Sequence, residues 1–141
     1  MQILKLAALP LTALAITACE SEAEKQADIA EDRMETQAEQ SAAAAGMEEA
    51  ALGMTELELI DADLVAADGT DLGDIEAVHR DASGAVDGLF VELDNTDPDR
   101  FVMIPLDGLS MRMDGDDKDV QTGMTAQDLA DLPDAERPSA M

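Results

Sequence analysis

The stretch DLGDIEAVHRDASGAVDGLFVEL, residues 71–93, contains two strand-like runs joined by a turn. Residues 71–80 and 85–93 have the composition of short strands, and the DASG segment at residues 81–84 consists of residues that favour tight turns. Gly84 can take the positive φ that closes such a turn. The stretch therefore predicts an antiparallel hairpin.

The apolar residues of the run 85–93 are expected on both faces of its strand, because successive side chains of a strand point to opposite sides. One face holds Leu89, Val91 and Leu93, and the opposite face holds Phe90 and Val86.

Further short runs of the same character flank the hairpin. They are LELIDADLVA (57–66), RFVMIPL (100–106), LSMRM (109–113) and a short piece near Val120. Turn-forming segments such as Asp68-Gly69 and DNTDPD (94–99) separate them. The sequence thus predicts a mainly β domain of five or six short strands, rolled into a small barrel because closure limits exposed edges.

A short helix is predicted at the C-terminal end of this domain. Thr125 can cap its first turn, and Asp128 follows three residues later as in a capping box with Asp in place of Glu. Leu129 and Leu132 give the helix an apolar side, and Pro133 ends it. We expect this helix to act as a lid on the barrel.

Three more positions have backbone roles in the predicted domain. Gly69 can take the positive φ of a turn. Gly73 leaves room for the close approach of another backbone within a strand. Pro105 lacks an amide donor, so it is expected to end its strand or to lie at a sheet edge.

The order of these motifs resembles the PRC-barrel family, a module named from the photosynthetic reaction centre H subunit and also found in a ribosome-maturation factor. The matching pieces, within residues 57–134, are DGTDLGDIEAVHRDASGAVDGLFVEL (68–93), RFVMIPLDGL (100–109) and TAQDLADLPD (125–134). The chain departs from many members in its short loop after Leu93, its lack of Trp and Tyr, and its Met-rich fourth and fifth strands. The resemblance implies a PRC-barrel-like domain that acts through protein contacts, without a cofactor and without catalysis.

Composition divides the chain ahead of the barrel from the barrel itself. Residues 20–55 hold 10 acidic residues, 8 of them Glu, whereas residues 56–137 hold 23, of which 18 are Asp. Glu is tolerated inside helices, while Asp favours caps and turns. We therefore expect a helical or disordered tether at 19–55, a turn-rich domain at 56–136 and a tail at 137–141.

The tether contains a weak helical repeat. Ala23, Ala27, Ala30 and Met34 follow a three-four spacing that could form a coiled-coil seam, although Gln37 and Ser41 would continue it with polar groups. The alternatives are a single helix or a solvated linker, and a flexible coil of this length would reach about 35 Å.

Residues 1–18 have the layout of a secretory signal peptide. Lys5 is the only charge ahead of the apolar run at residues 6–18, which contains Pro10 and is too short for a bilayer span of about 20 residues. We expect this segment to be removed.

The end of the apolar run resembles the lipobox of bacterial lipoproteins. Thr17 and Ala18 are small residues directly before Cys19, with Ile16 one place further back, and Cys19 is the only cysteine of the chain. The resemblance implies a diacylglycerol thioether on Cys19, followed by cleavage and acylation of the new amine, since more than one chain is needed for stable anchoring. The alternative is an ordinary cleaved signal in which Cys19 is an incidental thiol.

The residue after Cys19 and the net charge of the chain indicate where the protein is expected to be located and what it is expected to bind. Glu20, rather than Asp, follows Cys19, and the resemblance then implies the outer membrane, facing the periplasm. Loss of Lys5 with the signal leaves 7 basic against 33 acidic side chains. Nucleic acid is excluded as a partner because phosphate binding needs clustered Lys and Arg. Attachment to the membrane must come from the lipid.

His79 is the only histidine, and it was weighed as a catalytic base. Nucleophilic catalysis needs a nucleophile beside a base that a third group orients, and no such set is visible in the sequence. We interpret His79 as a polar strand residue and assign no catalytic residue.

Two other groups of residues were considered as binding sites. The acidic loop DGDDKDVQTG (114–123) could bind divalent cations weakly through Asp114, Asp116, Asp117 and Asp119, but it lacks the ligand order of an EF-hand. Methionine suits both core packing and adaptable binding surfaces. We expect Met103, Met111 and Met113, which lie on adjacent predicted strands, to fill the core. A partner groove is the alternative if any of them are exposed.

These observations favour a non-catalytic envelope lipoprotein that presents one PRC-barrel-like domain for protein–protein interaction in assembly, stabilisation or regulation. The alternative is an acidic surface protein that weakly binds or buffers divalent cations. An envelope enzyme is the third hypothesis, and it has the fewest candidate residues.

Overall fold

The computed structural model describes residues 22–136, which form a mainly β structure. In chain order the elements are α1 (Glu22–Ala45), β1 (Glu49–Ala51), β2 (Met54–Thr55), α2 (Glu56–Ile60), β3 (Asp63–Val65), β4 (Asp71–Arg80), β5 (Val86–Leu93), β6 (Arg100–Pro105), β7 (Ser110–Asp114), β8 (Asp117–Gln121) and α3 (Ala126–Ala130). The predicted signal peptide, the lipidation site at Cys19 and the tail at 137–141 lie outside the described residues.

Six of the strands form one mixed sheet in the order β6-β5-β4-β3-β8-β7. Every neighbouring pair is antiparallel except β3 and β8, which run parallel. The two-stranded β1-β2 hairpin is separate. Strands β6 and β7 are the edges of this sheet, and within residues 22–136 they do not pair with each other to close a barrel.

Most of the predicted strands are confirmed. The hairpin of residues 71–93 is β4 and β5, and the runs near 100–106, 109–113 and Val120 are β6, β7 and β8. The predicted C-terminal helix is α3, where the Asp128 backbone N–H donates to Thr125 Oγ1 at 3.2 Å and the Thr125 N–H donates to Asp128 at 2.8 Å. Local turn and cap chemistry therefore locates these elements correctly.

The prediction of one strand over residues 57–66 is wrong. Its first half is helix α2, and only Asp63–Val65 forms a strand. Thr55 and Glu58 make a complete capping box: the Glu58 N–H donates to Thr55 Oγ1 at 3.2 Å, and the Thr55 N–H donates to Glu58 at 2.8 Å. A capping box satisfies two backbone donors at a helix start, so it favours a helical turn over a strand.

The inner face of the sheet forms the larger of two apolar cores. Helices α2 and α3 and the β1-β2 hairpin cover it through Leu59, Leu129 and Met54, each of which is fully buried. The strands contribute alternate side chains, and these include Leu64, Ile75, Leu89, Val91, Leu93, Val102, Ile104 and Val120. Both predicted faces of β5 are observed, with one exception. Val86 packs towards this core, because β4 and β5 shift register by one residue next to it.

The outer face of the sheet carries the second core, under helix α1. Its buried members are Met34 and Ala38 of the helix and Ala77, Phe90 and Phe101 of the strands. The apolar spacing that predicted a coiled-coil seam therefore continues to Met34 and Ala38, and these residues pack against the chain's own sheet rather than against a second helix. Residues 22–45 of the predicted tether form helix α1, and residues 49–55 contain β1 and β2. The segment packs into the folded unit from Met34 onward, as the burial of Ala51 and Met54 also shows.

One carboxylate is sealed inside the structure. Glu56 is 0 % exposed, and its Oε2 accepts a hydrogen bond from Arg80, whose guanidinium also donates to the Gly84 carbonyl at 2.9 Å. Glu56 Oε1 is buried without a hydrogen-bond partner. Because a buried charge is costly unless it is paired, the Arg80 contact holds α2 at the end of β4.

The backbone residues singled out in the sequence have the following geometry. Gly73 has a φ of +151°, and a Cβ there would lie 2.0 Å from the Glu92 carbonyl oxygen, so the two strands approach closely at this point. Gly69 and Gly84 have φ of +86° and +89° in their turns. Pro105 is the last residue of edge strand β6.

Within residues 22–136, no helix combines the length and the apolar character needed to cross a membrane.

Candidate functional site: an acidic cleft and ladder

An open cleft of about 600 Å³ lies where α2, β3, β7 and β8 meet. Eight acidic side chains line it, together with Lys118, Val65 and Gly69; they are Glu58, Asp61, Asp63, Asp71, Asp114, Asp116, Asp117 and Asp119. The structure therefore brings the four aspartates of the predicted acidic loop to one cleft and adds four carboxylates from elsewhere in the chain.

Lys118 does not neutralise the four loop aspartates. Its Nζ lies 2.6 Å from Glu58 Oε1, and this contact holds the pKa of Glu58 below its usual value. The only lysine that lines the cleft is thus already engaged with the start of α2.

Four acidic residues stand opposite one another across four neighbouring strands of the outer face. Asp63 on β3 pairs with Asp74 on β4, and Asp74 pairs with Glu92 on β5. On the other side of β3 lies β8, where Val120 pairs with Leu64 in the parallel register. Asp63 comes one residue before Leu64, and Asp119 comes one residue before Val120. We call Asp119, Asp63, Asp74 and Glu92 the acidic ladder. Its rungs lie on the face opposite the inner core, because their strand neighbours Leu64, Val120, Ile75 and Val91 belong to that core.

Burial and like charge raise the pKa of Asp63, Asp119 and Glu92. Burial raises the pKa of Asp63, and the charges of Asp71, Asp74 and Asp119 raise it further. Burial is also the main cause of the raised pKa of Asp119, with Asp114 and Asp117 adding to it and Arg112 opposing it. Like charges directly opposite each other destabilise a sheet, and the charge of Arg112 offsets this repulsion only at the Asp119 end of the ladder.

Glu92 shows the strongest effect, with a pKa raised to about 7 by burial and then by the charges of Glu31, Asp99, Glu76 and Asp74. Glu31 comes from helix α1, and Glu31 and Glu35 also raise the pKa of Glu76, after burial. The acidic edge of α1 therefore borders the ladder. A second, smaller cleft of about 240 Å³ continues there between α1, α2 and the sheet.

Asp119 is the most enclosed rung, with 9 % of its surface exposed. Its side chain lines the cleft, and no hydrogen bond or ion pair to it occurs within residues 22–136. Its cross-strand neighbour is Arg112, whose guanidinium lies against the Gly69 turn, 2.7 Å from the position that a Cβ would take there. Its carboxylate oxygens are not sealed from solvent, since Glu56 Oε1 is the only side-chain oxygen within residues 22–136 that is buried without a partner. Asp119 therefore meets solvent through the open cleft.

No three acidic, histidine or cysteine side chains within residues 22–136 converge as a metal-binding group. Neighbouring strands lie about 4.8 Å apart, whereas oxygen ligands of Ca²⁺ lie about 2.3–2.6 Å from the ion. The ladder thus spreads its carboxylates along a line.

His79 contacts Asp87 and Phe90. Its Nδ1 lies 2.5 Å from Asp87 Oδ1, and its ring meets the Phe90 ring edge-on at 5.8 Å between centroids. Neither partner is a hydroxyl or thiol nucleophile.

The expectation that Met103, Met111 and Met113 fill the core is wrong, because all three are partly exposed. Met103 on β6 is 43 % exposed, and Met111 and Met113 on β7 are 38 % and 53 % exposed. Because β6 and β7 are opposite edges of the sheet order, these side chains belong to two edge strands rather than to adjacent ones.

Sequence reasoning missed Asp63, Asp74 and Glu92 as members of the site. Their positions next to apolar strand residues place them on the polar face, which the alternation could have shown. Their alignment depends on the register of three strand pairs, and one of these is the parallel pair β3-β8.

No protein-family profile matches this sequence, and no curated protein is significantly similar to it.

Proposed function

We propose that this protein is a non-catalytic lipoprotein of a bacterial envelope that presents a PRC-barrel-like domain to a protein partner. Anchoring would be through lipid on Cys19, in the outer membrane facing the periplasm. The domain would act in assembly, stabilisation or regulation. The six-stranded sheet with a C-terminal helix is compatible with a PRC-barrel-like module, and its closure into a barrel is part of the proposal.

The course of helix α1 supports the anchored arrangement. The helix begins at Glu22, three residues after Cys19, and its first fully buried contact with the sheet is Met34. At about 1.5 Å per residue, this stretch would hold the sheet roughly 18 Å from the anchor. A helix docked in this way presents the sheet at a fixed distance, whereas a flexible coil would not.

The single observation that carries the partner-binding role is the exposure of methionine on both edge strands. Exposed, adaptable side chains beside unpaired strand edges suit a protein contact.

The anchor is tested by metabolic labelling with an alkyne fatty acid and by mass spectrometry of the mature N-terminus. We expect acyl mass on Cys19 and release from envelopes only with detergent. The Cys19→Ser variant should lose both properties. An unacylated N-terminus in the native protein would refute the anchor.

The partner is tested by crosslinking in intact envelopes, with photoreactive residues placed at Met103 and Met113 in turn. We expect one predominant crosslinked protein. A matched probe at Met47, which is exposed outside the sheet, should not capture it. Equal capture from all three positions would refute a specific surface.

The alternative, weak binding of divalent cations, draws on the four loop aspartates that line the cleft. No converging set of metal ligands occurs within residues 22–136, and this argues against a tight cation site there. Calorimetry with Ca²⁺ and Mg²⁺ decides it, because weak specific binding requires saturable heat and simple screening gives none.

A further inference from the structure

We infer that the acidic ladder is a docking site for a basic, extended segment of a protein partner. This inference rests on the proposed adaptor function and names the chemistry of the partner. It uses Asp119, Asp63, Asp74 and Glu92, which stand opposite one another on four neighbouring strands.

The first step is that no ladder carboxylate is part of an ion pair within residues 22–136, although the charge of Arg112 acts on Asp119. Lys118 is engaged with Glu58, and Arg112 lies against the Gly69 turn. A surface that only kept the protein soluble would gain nothing from placing four carboxylates in register, because the repulsion destabilises the sheet. A cationic ligand would offset this cost.

The second step is the enclosed rung. Asp119 is 91 % buried, as the complement of its 9 % exposure, and its carboxylate faces the cleft without a hydrogen bond or ion pair within residues 22–136. A carboxylate in such an enclosed position keeps only the solvent contact that the cleft allows, so a donor that enters the cleft can replace that water. A guanidinium or ammonium group entering the cleft supplies that donor together with a positive charge.

The third step is spacing. Three inter-strand steps of about 4.8 Å give the ladder a length of about 14 Å. An extended peptide places alternate side chains on one side about 6.8 Å apart, so basic residues at positions i, i+2 and i+4 cover the same length. A single small ion cannot contact carboxylates spread in this way.

The fourth step is access. The larger cleft opens the Asp119 end of the ladder, and the smaller cleft opens the central rungs Asp63 and Asp74. Helix α1 borders the Glu92 end and adds Glu31 and Glu35 to the negative field. A basic segment therefore lies across the strands and ends against α1.

The test uses the full chain in detergent and a fluorescent peptide of about eight residues in which Arg alternates with Ser, long enough to cover the ladder. A peptide with Gln in place of Arg is the ligand control. Anisotropy is measured at low and high salt. We expect saturable binding of the Arg peptide that weakens as salt rises, because screening acts on charge pairs.

The protein variants are Asp63→Asn with Asp74→Asn, and a matched control, Glu48→Gln with Asp107→Asn. Both doubles remove two negative charges, but Glu48 and Asp107 are exposed and lie away from the ladder. The ladder double relieves repulsion, so it should fold, and circular dichroism verifies this. We expect it to bind the Arg peptide at least tenfold more weakly than the control double.

Three results would overturn the inference: no saturable binding, equal weakening in both doubles, or saturable Ca²⁺ binding that the ladder double alone abolishes. The last result would assign the ladder to cations. Envelope crosslinking separates the two proposals, because a captured partner with no peptide binding would leave the adaptor role standing and remove only the ladder.

Discussion

The two faces of the six-stranded sheet are made by the same strands, yet they are stabilised differently. The inner face is apolar and is covered by two short helices and a hairpin. The outer face is apolar only under α1, and next to the helix it carries the acidic ladder. One face thus supplies the stability of the fold, and the other exposes groups that weaken it.

The treatment of carboxylates shows the same difference. Glu56 is completely buried and is paired with Arg80. Asp119 is almost as enclosed and has no such partner within residues 22–136. The fold thus pairs the carboxylate that holds α2 in place and leaves the cleft carboxylate open to solvent.

The largest expected effect comes from the inner face. Leu89→Ala removes a fully buried side chain from its centre, and we expect a loss of about 4 kcal/mol in the free energy of unfolding, because such a substitution leaves a cavity. Urea unfolding measures it. Leu57→Ala is the control at an exposed position and should cost less than about 1 kcal/mol. Equal losses would contradict the inner core.

The next effect concerns the sealed carboxylate. Arg80→Ala leaves Glu56 buried without its partner, and we expect a loss of about 3 kcal/mol in the free energy of unfolding. Thermal and urea unfolding measure the loss. Arg33→Ala, on the exposed side of α1, is the matched control and should be near neutral. A loss as small as that of Arg33→Ala would show that water reaches Glu56.

The third effect tests whether the outer core is separate from the inner one. Met34→Ala removes the buried methionine of α1, and we expect a loss of about 2 kcal/mol, at the low end for such a substitution because α1 lies at the surface. Hydrogen exchange should show faster exchange in α1 than in β4 and β5. Ile29→Ala, half-exposed on the same helix, is the control. Uniform acceleration of all strands would mean that the two cores unfold together.

The smallest expected effect is a gain in stability rather than a loss, and it concerns Glu92. Because the pKa of Glu92 is raised from 4.5 to about 7 in the folded state, the folded protein holds a proton there that the unfolded chain has lost. Stability contributed by this group is therefore present below pH 4.5, falls as pH rises to about 7 and stays low above that.

Glu92→Gln mimics the protonated form, and we expect it to stabilise the protein by about 1 kcal/mol above pH 7, a modest gain because solvent screens a partly exposed carboxylate. The gain should vanish below pH 4.5, the usual value for this group. Thermal unfolding from pH 4 to pH 8 measures it. Glu48→Gln is the exposed control. A gain that does not change with pH would contradict the raised pKa.

Much of the fold could be read from the sequence because its signals are local. The turn at 81–84 and the alternation in 71–93 locate β4 and β5, and the Thr125 capping box locates α3. The error at 57–66 was also a local one, since Thr55 and Glu58 already formed a capping box that outweighed the strand pattern.

Only part of the site could be read in this way. The acidic loop was recognised because its aspartates are close in sequence, whereas Asp63, Asp74 and Glu92 come from three different strands. Their rungs align only when β3, β4 and β5 pair in one register.

The sequence by itself determined where most strands, turns and caps occur, because alternation and turn chemistry act over a few residues. The tertiary structure decided three things: that α1 packs on its own sheet, that β3 runs parallel to β8, and that four distant carboxylates form one row. The physical reason is that an apolar seam or a charged strand face does not specify its partner, and the partner is chosen only when the whole chain packs.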